Sequence, residues 1–261
     1  NNTLAVLISG LLGAVFPVCE CAVVPVIRRL VKNGLPVSCA LAYMLAAPIF
    51  NPVTAISTYK AFNNSPEIAI SRLAMGYMIA VFIALIVARK THSFFLKSSV
   101  KTENGDEHHH PRNLNAALNN SLRDLMDVGL YFCIGVVLTA ILKTTVIDPT
   151  DDFWKELANN SIVGSIGMMF LAFVLSLCST SDAFIAANFH NFKYGPKLAF
   201  MVFGPMMDAK LIFLYSTVFK WKFILFLFVA IFILTGALSI LFETKILPGW
   251  MSQQTEIPLA P

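Results

Sequence analysis

Long apolar runs separated by short polar turns set the pattern of this chain. Residues 3–27, 35–59, 68–88, 124–146, 162–189, 198–215 and 223–242 are dominated by Ala, Val, Ile, Leu, Met and Phe. Most approach or exceed the roughly 20 residues with which an α-helix crosses a bilayer core, which predicts an all-α, polytopic transmembrane bundle of about seven helices. Four of the runs are interrupted. The first carries Phe-Pro-Val-Cys-Glu-Cys-Ala-Val-Val-Pro at 16–25, the second Pro48 and Pro52, the fifth Cys-Ser-Thr-Ser-Asp at 178–182, and the sixth Pro205. A proline inside a helix withdraws a backbone donor and collides with the carbonyl four residues earlier. Freed backbone at membrane depth is tolerated only where protein or a wet cavity covers it. Discontinuous helices are therefore expected, with Pro17, Pro25, Pro48, Pro52 and Pro205 shaping a path between them.

The interruptions recur. Leu-Ala-Tyr-Met-Leu-Ala-Ala-Pro-Ile-Phe-Asn at 41–51 reads against Leu-Ala-Phe-Met-Val-Phe-Gly-Pro-Met-Met-Asp at 198–208, with a polar residue, Asn51 or Asp208, three positions after each proline. This is an internal duplication. It divides the chain into a first transmembrane repeat at 1–90, a polar linker at 91–120, a second repeat at 121–243 and a tail at 244–261. Upstream of each copy lies a cysteine-bearing break, Cys19 in one half and Cys178 in the other, although aligning these two needs a gap. The second half has a span, 124–146, before its cysteine-bearing run and the first half has none, so an eighth helix is expected before Asn1.

Composition agrees with the pattern. The chain is 57% hydrophobic and 13% charged, with a mean hydropathy of +0.71, where soluble domains carry about a quarter charged residues. A net charge of +4 without a basic, aromatic-interleaved stripe gives no nucleic-acid partner. No Walker A or Rossmann pattern is present, so neither ATP hydrolysis nor a cofactor is expected. The five cysteines lie in apolar runs, which excludes a disulfide framework. His108, His109 and His110 sit in the linker without a second ligand set and imply no metal.

Basic residues report orientation. If each interrupted run crosses the membrane, Arg28 to Lys32, the linker and Lys193 to Lys197 share one side, and Asp148 to Glu156 falls on the other. The positive-inside bias then makes the linker cytoplasmic. Four crossings separate the copies, giving parallel repeats; a re-entrant cysteine segment would make them inverted. Arg72, near the start of its span, is expected to snorkel to the interface.

Ionisable groups inside the runs are the candidate chemistry. Glu20 at membrane depth costs a few kcal/mol on insertion scales and should face a cavity or a partner. Cys19 and Cys21 point apart on a helix but the same way on an extended segment, with Glu20 opposite. Two converging thiols suit a soft metalloid centre rather than Mg or Ca, and Cys178 is a candidate third sulfur. Glu20, Asp182 and Asp208 are candidates for binding and releasing protons as solvent access alternates. The competing reading is structural: Asp208 paired with Lys210 or Arg72 to fix packing. Residues 208 and 210 would not face each other on an ideal helix. Arg28 marks an interface or attracts an anion.

Four motifs in order, 16–25, Leu-Ala-Ala-Pro-Ile-Phe-Asn-Pro at 45–52, Ser-Asp-Ala-Phe-Ile-Ala-Ala at 181–187 and Gly-Pro-Met-Met-Asp at 204–208, resemble the bacterial predicted-permease family that includes the ArsP-type organoarsenical efflux permeases. The resemblance implies a multi-pass permease of the bacterial inner membrane with about eight helices in two repeats. It also implies that Cys19 and Cys21 bind trivalent arsenic in arsenic-exporting members. Ser179 and Thr180 follow Cys178, so a second dithiol motif is missing. The resulting expectation is proton-coupled export of a small thiophilic solute, with Asn51 also at the substrate. Its rivals are an anion permease using Arg28 and helix termini, a membrane thiol oxidoreductase working through Cys19 and Cys21, and a scaffold subunit that works only with a soluble or membrane partner; a homo-oligomer or an accessory subunit is the expected partner in any of these.

Overall fold

The structure is a computed structural model that describes residues 2–16, 18–89, 133, 137, 161–189 and 192–246. Pro17, the linker with its three histidines, most of the 124–146 span, Asp148 to Glu156, His190 and the tail lie outside the described residues. The first half contains α1 (Asn2–Val15), α2 (Glu20–Lys32), α3 (Val37–Ala46), α4 (Pro52–Ala61) and α5 (Pro66–Ala88). The second contains α6 (Ser161–Leu175), α7 (Asp182–Asn188), α8 (Tyr194–Met206), α9 (Ala209–Tyr215) and α10 (Trp221–Leu241), the last continuing into a π turn at Phe242–Ile246. Among the described residues, three stretches are long and apolar enough to cross a membrane: Pro66–Ala88, Tyr194–Tyr215 and Trp221–Thr244.

The expected first crossing is instead a re-entrant hairpin. At 1.5 Å per residue, the 14-residue α1 reaches only about 21 Å, short of the roughly 30 Å core. Val6 packs with Cys39, Ala42 and Ala84, while a Cβ on Gly13 would lie 2.7 Å from Ala47 Cα, so α1 descends beside α3 from one face toward the centre. The chain reverses between α1 and α2, and α2 climbs back until Leu35 meets the Val6 cluster. Hydropathy cannot register that reversal, because both limbs are apolar.

The second hairpin is built the same way. Lys193 donates to Ser161 at 3.2 Å and both meet Glu243, so the start of α6 and the end of α7 share a face. That face is the opposite one. The Phe62 ring, just beyond α4, lies 6.5 Å from Tyr194 at the start of α8, and Lys197 lies over Phe62. Where the first half leaves its central break, the second half therefore enters, and the two sets of helices run in opposite directions. The inverted alternative applies, and the basic segments do not share a side. Arg28, Arg29, Arg89, Lys220 and Lys222 lie toward one face, whereas Lys60, Lys193 and Lys197 lie toward the other with Glu67 and Glu243.

Corresponding elements pack alike. α1 lies on α3 as α6 lies on α8, and α3 on α5 as α8 on α10. Between halves the short helices exchange partners, α2 with α9 and α7 with α4. The spacing that brings Leu41 onto Leu198 also brings Val37 onto Tyr194 and Asn51 onto Asp208, the starts of α3 and α8 and the caps of α4 and α9. Carried upstream without a gap, it sets Cys21, not Cys19, opposite Cys178.

Candidate functional site

Four short helices, α2, α4, α7 and α9, begin at the centre of the bundle, so four positive helix ends converge there. Each carries an oxygen-bearing side chain at its start. Asn51 caps α4, its Oδ1 accepting from Thr54 N at 2.8 Å, while its amide donates to Ala47 O at 3.2 Å. Asp208 caps α9, its Oδ1 accepting from Leu211 N at 2.7 Å. Glu20 and Asp182 are the first residues of α2 and α7. Pro48 and Pro205 lie just before the two caps, and Pro52 occupies the first position of α4, where its missing N–H is harmless. Pro25 sits inside α2 without ending it.

Two charge clusters tie the halves together. In one, Arg72 is fully buried and does not snorkel: one terminal nitrogen donates to both oxygens of Asp182 at 2.9 Å and to Ser179 O at 2.8 Å. The other donates to Thr58 Oγ1 at 2.7 Å, and Thr58 donates onward to Thr54 O at 2.8 Å. Arg72 takes this inward position because α7 delivers a carboxylate and the end of the hairpin turn a carbonyl, giving the guanidinium charged and neutral acceptors together.

In the second cluster Lys210, at the start of α9, lies 3.1 Å from Glu20 Oε1, 3.1 Å from Ser176 O and 3.4 Å from Asp208 Oδ2. Glu20 is 2% exposed and Asp208 0%. Asp208 reaches Lys210 two residues away because it stands off the helix in extended backbone, at φ −133° and ψ 175°. Asp208 pairs with Lys210 rather than with Arg72, whose acid is Asp182. Ser176 holds a left-handed φ of 45°, a strained conformation for a residue with a side chain. Its carbonyl is thereby presented to Lys210.

The cysteines border this centre without forming a cage. Cys19 is exposed in extended backbone before α2, and Cys21 is half-buried, already on the helix, within electrostatic reach of Lys210, Glu20 and Asp208. Cys178 is exposed on the other hairpin, near the Thr180 hydroxyl at 3.7 Å. Among the described residues, no three His, Cys, Asp or Glu side chains gather closely enough to hold a metal ion. Arg28 is half-buried farther along α2. Thr58 and Ser176 escaped the sequence reading, and Ser179 entered it only as the place of a missing thiol, not as the carbonyl that Arg72 meets. Thr54 and Thr58, four apart in an apolar run, were the available signal; hairpin carbonyls leave none.

Broken helices meeting at mid-depth, with opposed hairpins and buried charges, define a helical membrane protein with the kind of centre transporters build. The chain belongs to the ArsP-type predicted permease family, which it matches over residues 1–244. It is 37% identical over 250 residues to UPF0718 protein YcgR of Bacillus subtilis strain 168, covering 92% of this chain and 82% of the relative. It is 31% identical over 229 residues to a putative two-component membrane permease complex subunit of Streptococcus mutans, covering 86% and 75%. No solved structure matches the chain.

Proposed function

We propose that this chain is a secondary-transporter-type permease of the bacterial inner membrane that exports a small, uncharged thiophilic solute, a trivalent organoarsenical or another metalloid. One observation carries the reading: two hairpins entering from opposite faces bring their turns to two helix breaks around buried charges. Inverted halves with discontinuous helices are a recurrent basis for alternating access. Cys19, exposed beside Glu20, and Cys21 are the thiols offered to the solute, with Cys178 on the opposing hairpin and Asn51 at the adjoining break. Glu20, Asp182 and Asp208 are the groups available to couple protons.

The helix ends argue against the anion rival. The positive ends an anion would use are already supplied with the protein's own carboxylates, Glu20, Asp182 and Asp208. A second oxyanion at the centre would meet like charge. The face bearing Arg28, Arg29, Arg89, Lys220 and Lys222 has no acid among its described residues, which supports a cytoplasmic orientation for it and for the linker after Arg89. We place the repeat boundary in that linker, at 91–120. The name of the Streptococcus relative, a membrane permease complex subunit, supports a second membrane component working with this chain.

The test is accumulation in everted vesicles of phenylarsine oxide, antimonite, soft metals and oxyanions, for the wild type and for Cys19→Ser and Cys21→Ser. Cysteine-dependent accumulation of a thiophilic probe, abolished by a protonophore, is expected. Accumulation of an oxyanion alone, unaffected by both substitutions, overturns the thiophilic reading.

A further inference from the structure

We infer that Glu20 and Asp208 together hold one exchangeable proton beside Lys210, so that this cluster, and not Arg72–Asp182, is the proton-binding site of the protein. This rests on the permease reading for its purpose but not for its test.

Two carboxyl groups share one ammonium inside the bundle, leaving one negative charge uncompensated by any side chain of the cluster. Ionised like charges in a low-dielectric site cannot both persist without strong compensation, and a shared proton is the usual resolution. The geometry shows where it sits. Glu20 Oε1 has Lys210 and Asp208 Oδ1 has the Leu211 amide, but Glu20 Oε2 and Asp208 Oδ2 are buried without a hydrogen-bond partner. Asp208 Oδ2 has only Lys210, at ion-pair distance. Buried acceptors without donors are rare and costly, and a carboxyl proton converts one of them into a donor.

The positive ends of α2 and α9 compensate the two acids in part, but Lys210 is the one cationic side chain in contact with them among the described residues. Cys21 on α2 and Tyr215 on α9 are further titratable groups within electrostatic reach of both acids, and the Tyr215 hydroxyl donates to Met206 O at 3.0 Å. Cys19 lies within electrostatic reach of Cys21, and Asp182 within reach of Glu20. Asp182 differs in kind: both its oxygens accept from Arg72, whose charge balances it one for one. The proton site also joins the moving parts an export cycle needs, because Glu20 starts the returning limb of one hairpin, Ser176 begins the turn of the other, and Asp208 caps a broken helix.

Infrared spectroscopy of the full chain in lipid nanodiscs reads the carbonyl stretch of a protonated carboxylic acid directly and needs no solute. One such band is expected at neutral pH in the wild type. It should vanish in Glu20→Gln and in Asp208→Asn, since either leaves one acid for one lysine, and should roughly double in Lys210→Met. Asp208→Asn is the conservative variant, because Asn51 performs the same capping with an amide in the other half. A wild type without the band, or a band that survives both single substitutions, overturns the proposal, as would a sodium-dependent stabilisation at this cluster in its place. Failure of vesicle transport with the band pattern intact would count against the permease reading alone.

Discussion

Arg72 serves one carboxylate, one hydroxyl and one carbonyl from full burial, whereas Lys210 is shared among two carboxylates and a carbonyl at 3.1 to 3.4 Å. Both clusters join the two halves through a hairpin acid and a base from the other half. Their balance differs. The arginine cluster is neutral and its carboxylate saturated, so separating it exposes a bare pair to the apolar interior. The lysine cluster has one acid too many and two oxygens without donors, so a proton can change which contacts are favourable. Strong closure and switchability are thus assigned to different sites.

The largest effect should follow from breaking the charge-balanced cluster, in which Asp182 is saturated although Arg72 Nε has no acceptor. Arg72→Met strands a buried Asp182 and removes the donor to Thr58 and Ser179 O, and removing one partner of a buried pair costs about 3–5 kcal/mol. A pronounced fall in the unfolding temperature of detergent-purified protein is expected. Arg72→Met with Asp182→Leu should recover most of it, because an apolar replacement of both partners carries no stranded charge. If the double variant melts as low as the single, the loss comes from the missing guanidinium contacts and packing rather than from the stranded charge of Asp182.

Next in size, Thr58→Val leaves one Arg72 nitrogen without its 2.7 Å acceptor while conserving shape. A buried donor left unpaired costs about 1–3 kcal/mol. The loss should shrink toward zero in the background of the apolar double variant, where no guanidinium remains to satisfy. Persistence of the full loss in that background would place the role of Thr58 in α4 itself, through Thr54 O.

Much of this arrangement was legible in the chain. Leu41 against Leu198 and Pro48 against Pro205 fixed the duplication, and the polar residues three positions later proved to be the two matching caps. Glu20 was expected to need a partner and has Lys210. What stayed hidden was direction. The 3–27 run has the length of a crossing, and only its central break could announce a reversal; a hydropathy window averages across such a break. The same blindness put Arg72 at the interface. Its partner Asp182 lies on a different repeat, and nothing local to α5 signals that an acid arrives there. The apparent mismatch of Asp208 and Lys210 came from assuming a continuous helix where the cap stands outside it.

The caps provide a smaller test within the lysine cluster. Asp208→Ala removes the acceptor for Leu211 N and should cost about 1 kcal/mol, the usual value for a lost N-cap, with Asn51→Ala costing a similar amount in the other half. Asp208→Asn should retain the cap and melt close to the wild type. If Asn and Ala prove equally destabilising, the ion pair with Lys210 rather than capping is the main contribution of Asp208 to folding.

Glu20→Gln should have the smallest effect on stability and is the sharpest probe of the difference between the clusters. It removes the surplus acid, leaves Lys210 with Asp208 as a one-to-one pair, and keeps an oxygen that can accept from the ammonium at the Glu20 position. Because the two acids already share one proton, the substitution leaves the net charge of the cluster unchanged and exchanges one carboxyl for an amide, so the net change should stay within about 0.5 kcal/mol, the range of substitutions that break no satisfied network. Thermal melting beside Arg72→Met decides the matter. A loss as large as that of the arginine variant would mean Glu20 is a fully satisfied structural anchor, and the two clusters would then be equivalent latches with no division of labour between them.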